Sequence, residues 1–203
     1  MTNSRAPQAR CESDKPRVIS VLGGPGSGKG TQCQWLARNF KVQHISVGEV
    51  LRAEINRPGS PHADIIRQNM LTGTFGPKEI TVEILKSHIL RSMQQGTCAF
   101  VLDGFPRSLE QFRYFEQVVG PIDLMVLLQC SESVLIERLL PRGRFDDNLE
   151  TIQSRLRTFE EVTTLLIDEF RQRDKLQIID GEETVEEVHD QLKLILSELV
   201  EVR

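Results

Sequence analysis

Short, nearly continuous apolar runs alternate along this chain with longer segments whose apolar residues recur every three or four positions. Val18 to Leu22 is rich in β-branched residues and stops at a glycine cluster, the pattern of a strand buried on both faces. Similar strand patterns recur at Gln43–Ser46, Cys98–Leu102, Leu124–Gln129 and Leu176–Ile179. Between them, Cys33, Leu36, Ala37 and Phe40 share one face of a helix expected over Thr31–Phe40. Further helices are expected over Ser108–Val119, Ser133–Leu140, Leu149–Arg171 and Thr184–Leu199. Strands alternating with helices predict an α/β fold: a five-stranded parallel sheet with helices on both faces.

Two stretches read as inserts rather than scaffold. Residues 48–90 hold helical pieces broken at Arg57-Pro58-Gly59-Ser60-Pro61 and Thr72-Gly73-Thr74-Phe75-Gly76-Pro77, with no strand pattern of their own. Residues 141–148 form a short charged connection between two helices. Residues 1–16 carry Glu12, Asp14 and two prolines and no apolar core, which fits a disordered tail better than a secretory signal or a mitochondrial presequence. One domain is expected over 17–203.

The strongest chemical signal is Gly23-x4-Gly28-Lys29, which follows a strand pattern and opens a helix. Glycines let backbone N–H groups turn inward around an anion, the helix N-terminus adds partial positive charge, and Lys29 adds a full one. The usual continuation is Gly-Lys-Ser/Thr, whereas here Gly30 intervenes before Thr31. The dinucleotide spacing Gly-x-Gly-x-x-Gly does not occur in the loop, which disfavours a nicotinamide or flavin site. Neither Asp-x-x-Gly nor Asn-Lys-x-Asp occurs anywhere, which disfavours a GTPase switch.

Charge sharpens this picture. With 25 Lys plus Arg against 29 Asp plus Glu, the net charge is −4, which argues against a general nucleic-acid binder. The basic residues are skewed, 18 arginines to 7 lysines, and the planar guanidinium fork suits small phosphorylated ligands. No run approaches the roughly 18 apolar residues of a membrane span. Cys11, Cys33, Cys98 and Cys130 lie far apart with no Cys-x-x-Cys pair, so reduced thiols and a cytoplasmic location are expected, the nucleus being the alternative. Cys98 and Cys130 sit in apolar stretches and are expected in the core. His44, His62, His88 and His189 are scattered and suggest no role.

At Gly23–Thr31 together with Leu102-Asp103-Gly104-Phe105-Pro106-Arg107, the sequence resembles the nucleoside monophosphate kinases, the adenylate and UMP/CMP kinase family. Ser46-Val47-Gly48-Glu49-Val50-Leu51-Arg52, Gly76-Pro77-x-Glu79-Ile80-Thr81, Arg142-Gly143-Arg144 and Asp146-Asp147-Asn148 with Glu150-Thr151-Ile152-x-x-Arg155 extend the resemblance over most of 17–200. It implies a P-loop kinase core, a helical monophosphate-binding insert at about residues 46–76 and a very short lid at about 141–148. It also implies ATP as donor, Mg²⁺ as cofactor, UMP or CMP as acceptor and a monomer. The acceptor oxygen in such a reaction is already ionised, so no general base is needed. Catalysis then rests on aligning two anions and neutralising charge on the moving phosphoryl group.

By this resemblance Gly24, Pro25, Gly26, Ser27, Gly28, Lys29, Gly30 and Thr31 cradle the ATP phosphates, with Arg142 beside them. Arg52 and Arg107 grip the acceptor phosphate, while Lys29, Arg142, Arg144 and Arg155 surround the transferring group, Arg144 and Arg155 reaching the acceptor too. Asp103 holds the water shell of Mg²⁺, and Asp146 and Asp147 orient the lid arginines. Plain structural alternatives stand beside these roles: Arg155 and Arg52 as solvated surface, Arg107 as a turn residue, Asp146 as a helix cap.

The acceptor base is less sharply marked. Adenylate kinases usually place Thr where this chain has Val47, and Gly48-Glu49, Asn56–Ser60 and Glu79–Lys86 look more like UMP/CMP kinases. Gln111 offers an amide that serves either base, so AMP remains the alternative acceptor and a non-catalytic nucleotide-binding protein the alternative class. Gly76 stands where an apolar residue is usual and is expected to enlarge the pocket. Arg142-Gly143-Arg144 is compressed relative to the family pattern, from which an ATPase side reaction is expected, since lid closure excludes water.

Overall fold

The computed structural model describes residues 15–142 and 148–203. Five strands, β1 (Arg17–Gly23), β2 (Gln43–Ser46), β3 (Ala99–Asp103), β4 (Leu124–Gln129) and β5 (Leu176–Asp180), form one parallel sheet in the order β2-β3-β1-β4-β5. The helices are α1 (Lys29–Asn39), α2 (Val47–Ile55), α3 (Ala63–Thr72), α4 (Lys78–Gln94), α5 (Leu109–Val118), α6 (Glu132–Leu139), α7 (Leu149–Gln172) and α8 (Val185–Leu196). A 3-10 turn, Leu140–Arg142, follows α6.

Side chains alternate across a strand, so the continuous apolar runs feed two cores. Val18, Leu22, Phe100, Leu102, Met125 and Leu127 face a layer built by α2, α4, α5 and α7, where Val47, Val82, Leu85, Ile89, Phe112, Phe115, Leu166 and Phe170 are buried. Ile19, Val21, Val101, Val126 and Leu128 face α1 and α8, packing on Cys33, Leu36, Val188, Leu192 and Leu196. Ser20 falls on the first face, fully buried, and its hydroxyl donates to the Phe105 carbonyl at 2.7 Å, which satisfies both groups.

Residues 48–90 therefore divide differently from the sequence expectation. The α4 residues Val82, Leu85 and Ile89 are wholly buried against the sheet, so α4 is scaffold, and α2 joins the same layer through Val47. Cysteine placement also differs. Cys33 is the buried free thiol, Cys130 is free and half-buried, and Cys98 is half-buried and disulfide-bonded, against the expectation of reduced core thiols. Pro16 is already buried at the edge of the described residues.

From β1 the sheet continues to β3 and β2 on one side and to β4 and β5 on the other. A crevice opens where the strand order reverses, at the carboxyl ends of β1 and β3. Gly23 and Asp103 sit at those two ends.

Candidate active site

The loop leaving β1 wraps round to α1 without a side-chain cap. Gly28, at φ 89°, is the N-cap, so the first-turn N–H groups of α1 face the loop interior. Gly26 adopts φ 91°, and a Cβ there would stand 2.7 Å from the Leu135 carbonyl oxygen, so the close seating of the loop on α6 requires glycine. Ser27 is buried, and its N–H donates to the Gly24 carbonyl at 3.1 Å. Pro25, Gly28, Gly30 and Thr31 line the mouth, Thr31 with an exposed side chain.

Lys29 Nζ donates to the carbonyls of Gly23 and Gly24, both at 2.8 Å, and lies 3.3 Å from Ser27 Oγ. Burial lowers its pKa from 10.5 to about 8; the nearby Asp103 carboxylate opposes that shift, and the Arg107 and Arg155 charges add to it. Asp103 is the counterweight. Burial disfavours its charge, but the neighbouring His44 imidazole and the fields of Lys29 and Arg107 outweigh that and hold the carboxyl below its ordinary value.

A cleft of about 450 Å³ runs from this loop to the α2–α3 region. Its lining brings together Lys29, Val47, Arg52, Gly76, Asp103, Gly104, Arg107, Gln111 and Arg155. Arg107 is held on both sides: its Nε donates to the Gly104 carbonyl at 2.8 Å, and its guanidinium lies 5.8 Å from the Phe75 ring centroid. Gly104, at φ 75°, places the spot a Cβ would take 3.4 Å from Arg107 Nη2 and 3.9 Å from Lys29 Cε, so the bare backbone lets the two cations converge. Gln111 is buried and its Oε1 accepts the Arg107 backbone N–H at 3.0 Å, leaving Nε2 as its donor. Arg52 lines the cleft while its Nη2 contacts Glu49 Oε1 at 2.8 Å. Arg155 is half-buried on α7 and faces the same cleft, so it is not solvated surface decoration.

Some expectations are corrected. Gly76 does not open the pocket, because Asn69 Nδ2 lies 2.7 Å from where a Cβ would stand and fills that space. Asn148 is the cap of α7, its side chain accepting the Thr151 N–H at 2.8 Å. Val47 begins α2 and is buried in the core as it borders the cleft. Arg142 is described for its backbone alone, and Arg144, Asp146 and Asp147 lie outside the described residues, as does most of the expected lid.

Sequence reasoning missed His44, whose Nε2 lies 3.5 Å from Asp103 Oδ2. It also missed Asn69, Phe75 and Arg138, which line the cleft. No motif flags a histidine 59 positions from its carboxylate; the parallel pairing of β2 on β3 brings them together.

A phosphate loop at a topological switch point, facing a second compartment rich in arginine, defines a P-loop phosphotransferase acting between two phosphorylated ligands. A family model described as adenylate kinase matches residues 21–175. The chain is 36% identical over 193 residues to a uridylate kinase of Saccharomyces cerevisiae, covering 93% of this chain and 95% of the relative. It is 41% identical to adenylate kinase 1 of Schistosoma mansoni (88% and 91% covered) and 39% identical to UMP-CMP kinase 3 of Arabidopsis thaliana (90% and 90% covered). The chain belongs to the adenylate kinase family, the nucleoside monophosphate kinases that use ATP as phosphoryl donor. No helix among the described residues is long and apolar enough to cross a membrane.

Proposed function

We propose that this kinase takes UMP and CMP as acceptors, giving ADP and UDP or CDP, by in-line transfer across the cleft. The observation that carries the mechanism is the convergence of Lys29, Arg107 and Arg155 on one cleft, with Asp103 as the ionised carboxylate among them. Lys29 and the α1 N–H groups receive the donor phosphates, Arg52 and Arg107 the acceptor phosphate, and Arg155 the charge that builds on the moving group. The family resemblance gives Arg142 and Arg144 a share in that role, though Arg144 and the Arg142 side chain lie outside the described residues. No side chain need remove a proton, because the attacking oxygen is already ionised.

The donor set fits Mg²⁺ held through water. Asp103 is kept charged, and its Oδ2 is 3.6 Å from where a Cβ on Gly30 would stand, beside the phosphate loop. When bound, Mg²⁺ supplies charge neutralisation at the donor phosphates.

Pyrimidine preference is supported by Val47, whose buried side chain offers the base no hydrogen bond, and by the relatives named for UMP and CMP. AMP is the second reading, because the Gln111 amide serves either base and one relative is named adenylate kinase 1. An ADP-release assay with ATP, Mg²⁺ and separate UMP, CMP, dCMP, AMP, GMP and TMP decides between them. Fastest turnover on UMP or CMP is expected; preference for AMP would overturn the pyrimidine reading, and no turnover would overturn the kinase reading of this cleft.

A further inference from the structure

Three side chains from three elements meet beside the phosphate loop. Cys33 comes from the second turn of α1, His44 from β2 and Asp103 from the end of β3, and their ligand atoms all lie within 4.8 Å of one another. The β2–β3 register pairs His44 with Val101 and Ser46 with Asp103, so His44 and Asp103 project to the same face, the one α1 covers. Cys33 is a fully buried free thiol, and the His44 and Asp103 side chains are only 15% and 12% exposed. His44 Nε2 is buried and faces Asp103 Oδ2 at 3.5 Å, beyond a good hydrogen bond.

We propose that Cys33, His44 and Asp103 form a binding site for a thiophilic divalent cation, Zn²⁺ being the best match. One sulfur, one imidazole nitrogen and one carboxylate oxygen is a borderline-soft donor set, whereas Mg²⁺ takes oxygen ligands and keeps its water. Tetrahedral zinc with bonds of about 2.0–2.3 Å sets its ligands roughly 3.3–3.7 Å apart. The His44–Asp103 pair already stands at that spacing, and the thiol closes the remainder by a small side-chain movement. Three protein ligands leave a fourth position, and because Asp103 borders the cleft, that position and the entry path open toward the nucleotides.

The consequence is regulatory. A cation held here withdraws Asp103 from the donor side of the cleft, so Zn²⁺ inhibits the kinase from the edge of the ATP compartment. The site itself does not depend on the proposed acceptor, and its optical test reads without turnover.

Co²⁺ serves as the spectroscopic probe for Zn²⁺ on the full chain without nucleotide. One equivalent is expected to give tetrahedral visible bands and a thiolate-to-cobalt charge-transfer band. The band should be lost in Cys33→Ser, kept in Cys130→Ser, displaced by Zn²⁺ and untouched by excess Mg²⁺. In turnover, Zn²⁺ inhibition at constant Mg-ATP should be relieved by chelator and weakened by roughly ten- to a hundredfold in Cys33→Ser. His44→Gln, checked for folding by circular dichroism, gives the same optical test should the cysteine variant fail to fold. Absence of a thiolate band in the wild type, or a band unchanged in Cys33→Ser and His44→Gln, overturns the proposal.

Discussion

The Ser154 hydroxyl donates a 2.8 Å hydrogen bond to the Thr72 carbonyl, and Thr151 Oγ1, three residues earlier on α7, donates to the Leu71 carbonyl at 2.9 Å. Both acceptors are carbonyls at the C-terminus of α3, which lack partners within their own helix. The acceptor-side helix is thus tied to the helix that carries Arg155. Each bond contributes about 1 kcal/mol, or a factor of about five in a conformational equilibrium. Thr151→Val with Ser154→Ala should raise the monophosphate KM several-fold by depopulating the competent arrangement while leaving the ATP KM nearly constant. Steady-state kinetics varying each substrate separately checks this; equal KM values in variant and wild type would sink it.

Lys29 and Arg107 stand on either side of Gly104, where both cations reach the same part of the cleft. Lys29→Ala or Arg107→Ala should leave a folded protein whose kcat/KM falls by about 10²–10³-fold or more, since each removes a preorganised positive group from the transferring phosphoryl. Near-normal turnover in either, with unchanged circular dichroism, would remove that residue from the mechanism.

Much of this arrangement is legible in the amino-acid sequence, for identifiable reasons. The bounds of β2 and β4 match the sequence expectation because short apolar runs between turn residues admit few alternatives. Lys29, Asp103 and Arg107 sit in motifs whose spacing is local, so their roles can be proposed from sequence alone. What stays hidden depends on tertiary contact. The α4 residues Val82, Leu85 and Ile89 read as part of an insert because nothing local to them marks the sheet on which they pack. The pairing of His44 with Asp103 and the filling of the Gly76 gap by Asn69 belong to the same class.

The lowered pKa of Lys29 makes the donor site pH-dependent. The folded pKa of about 8 lies below the ordinary 10.5, so between these values the unfolded chain holds a proton that the folded chain has lost. In that window stability rises with pH, and below about pH 8 the full cost of the buried ammonium is present. Donor phosphates favour the charged form, so ATP binding takes up a proton above pH 8. ATP affinity should therefore be about tenfold weaker at pH 9 than at pH 7. Equilibrium titration with ATP across that range tests it, and a flat affinity profile would contradict it.

Thr184 caps α8 with a complete capping box: its Oγ1 accepts the Glu187 N–H, and the Glu187 carboxylate accepts the Thr184 N–H. Thr184→Ala should cost about 1 kcal/mol. For a domain of this size that lowers Tm by about 2–4 °C. Activity at ambient temperature should be unchanged, because α8 packs on the face of the sheet opposite the acceptor helices. Differential scanning calorimetry reads the first effect and the ADP-release assay the second; an unaltered Tm would mean the cap contributes nothing.

Base choice should run through Asn69. Its Oδ1 accepts from Thr74 Oγ1 at 3.2 Å, and Thr74 Oγ1 is in turn 2.9 Å from Thr72 Oγ1, which fixes the amide and turns Nδ2 over Gly76. With Gln111 Nε2 this gives the cleft two amide donors, suited to the carbonyl oxygens of a pyrimidine. Asn69→Ala removes one donor and leaves the phosphate-binding cations in place. The kcat/KM ratio of UMP to AMP should then fall about five- to tenfold, the value of one neutral hydrogen bond, with kcat at saturating acceptor within about twofold. Gly76→Val should act the same way, because its side chain must displace the Asn69 amide from the position it now holds. Measuring kcat/KM for UMP, CMP and AMP in both variants decides the matter: if neither shifts the ratios, Asn69 does not meet the base.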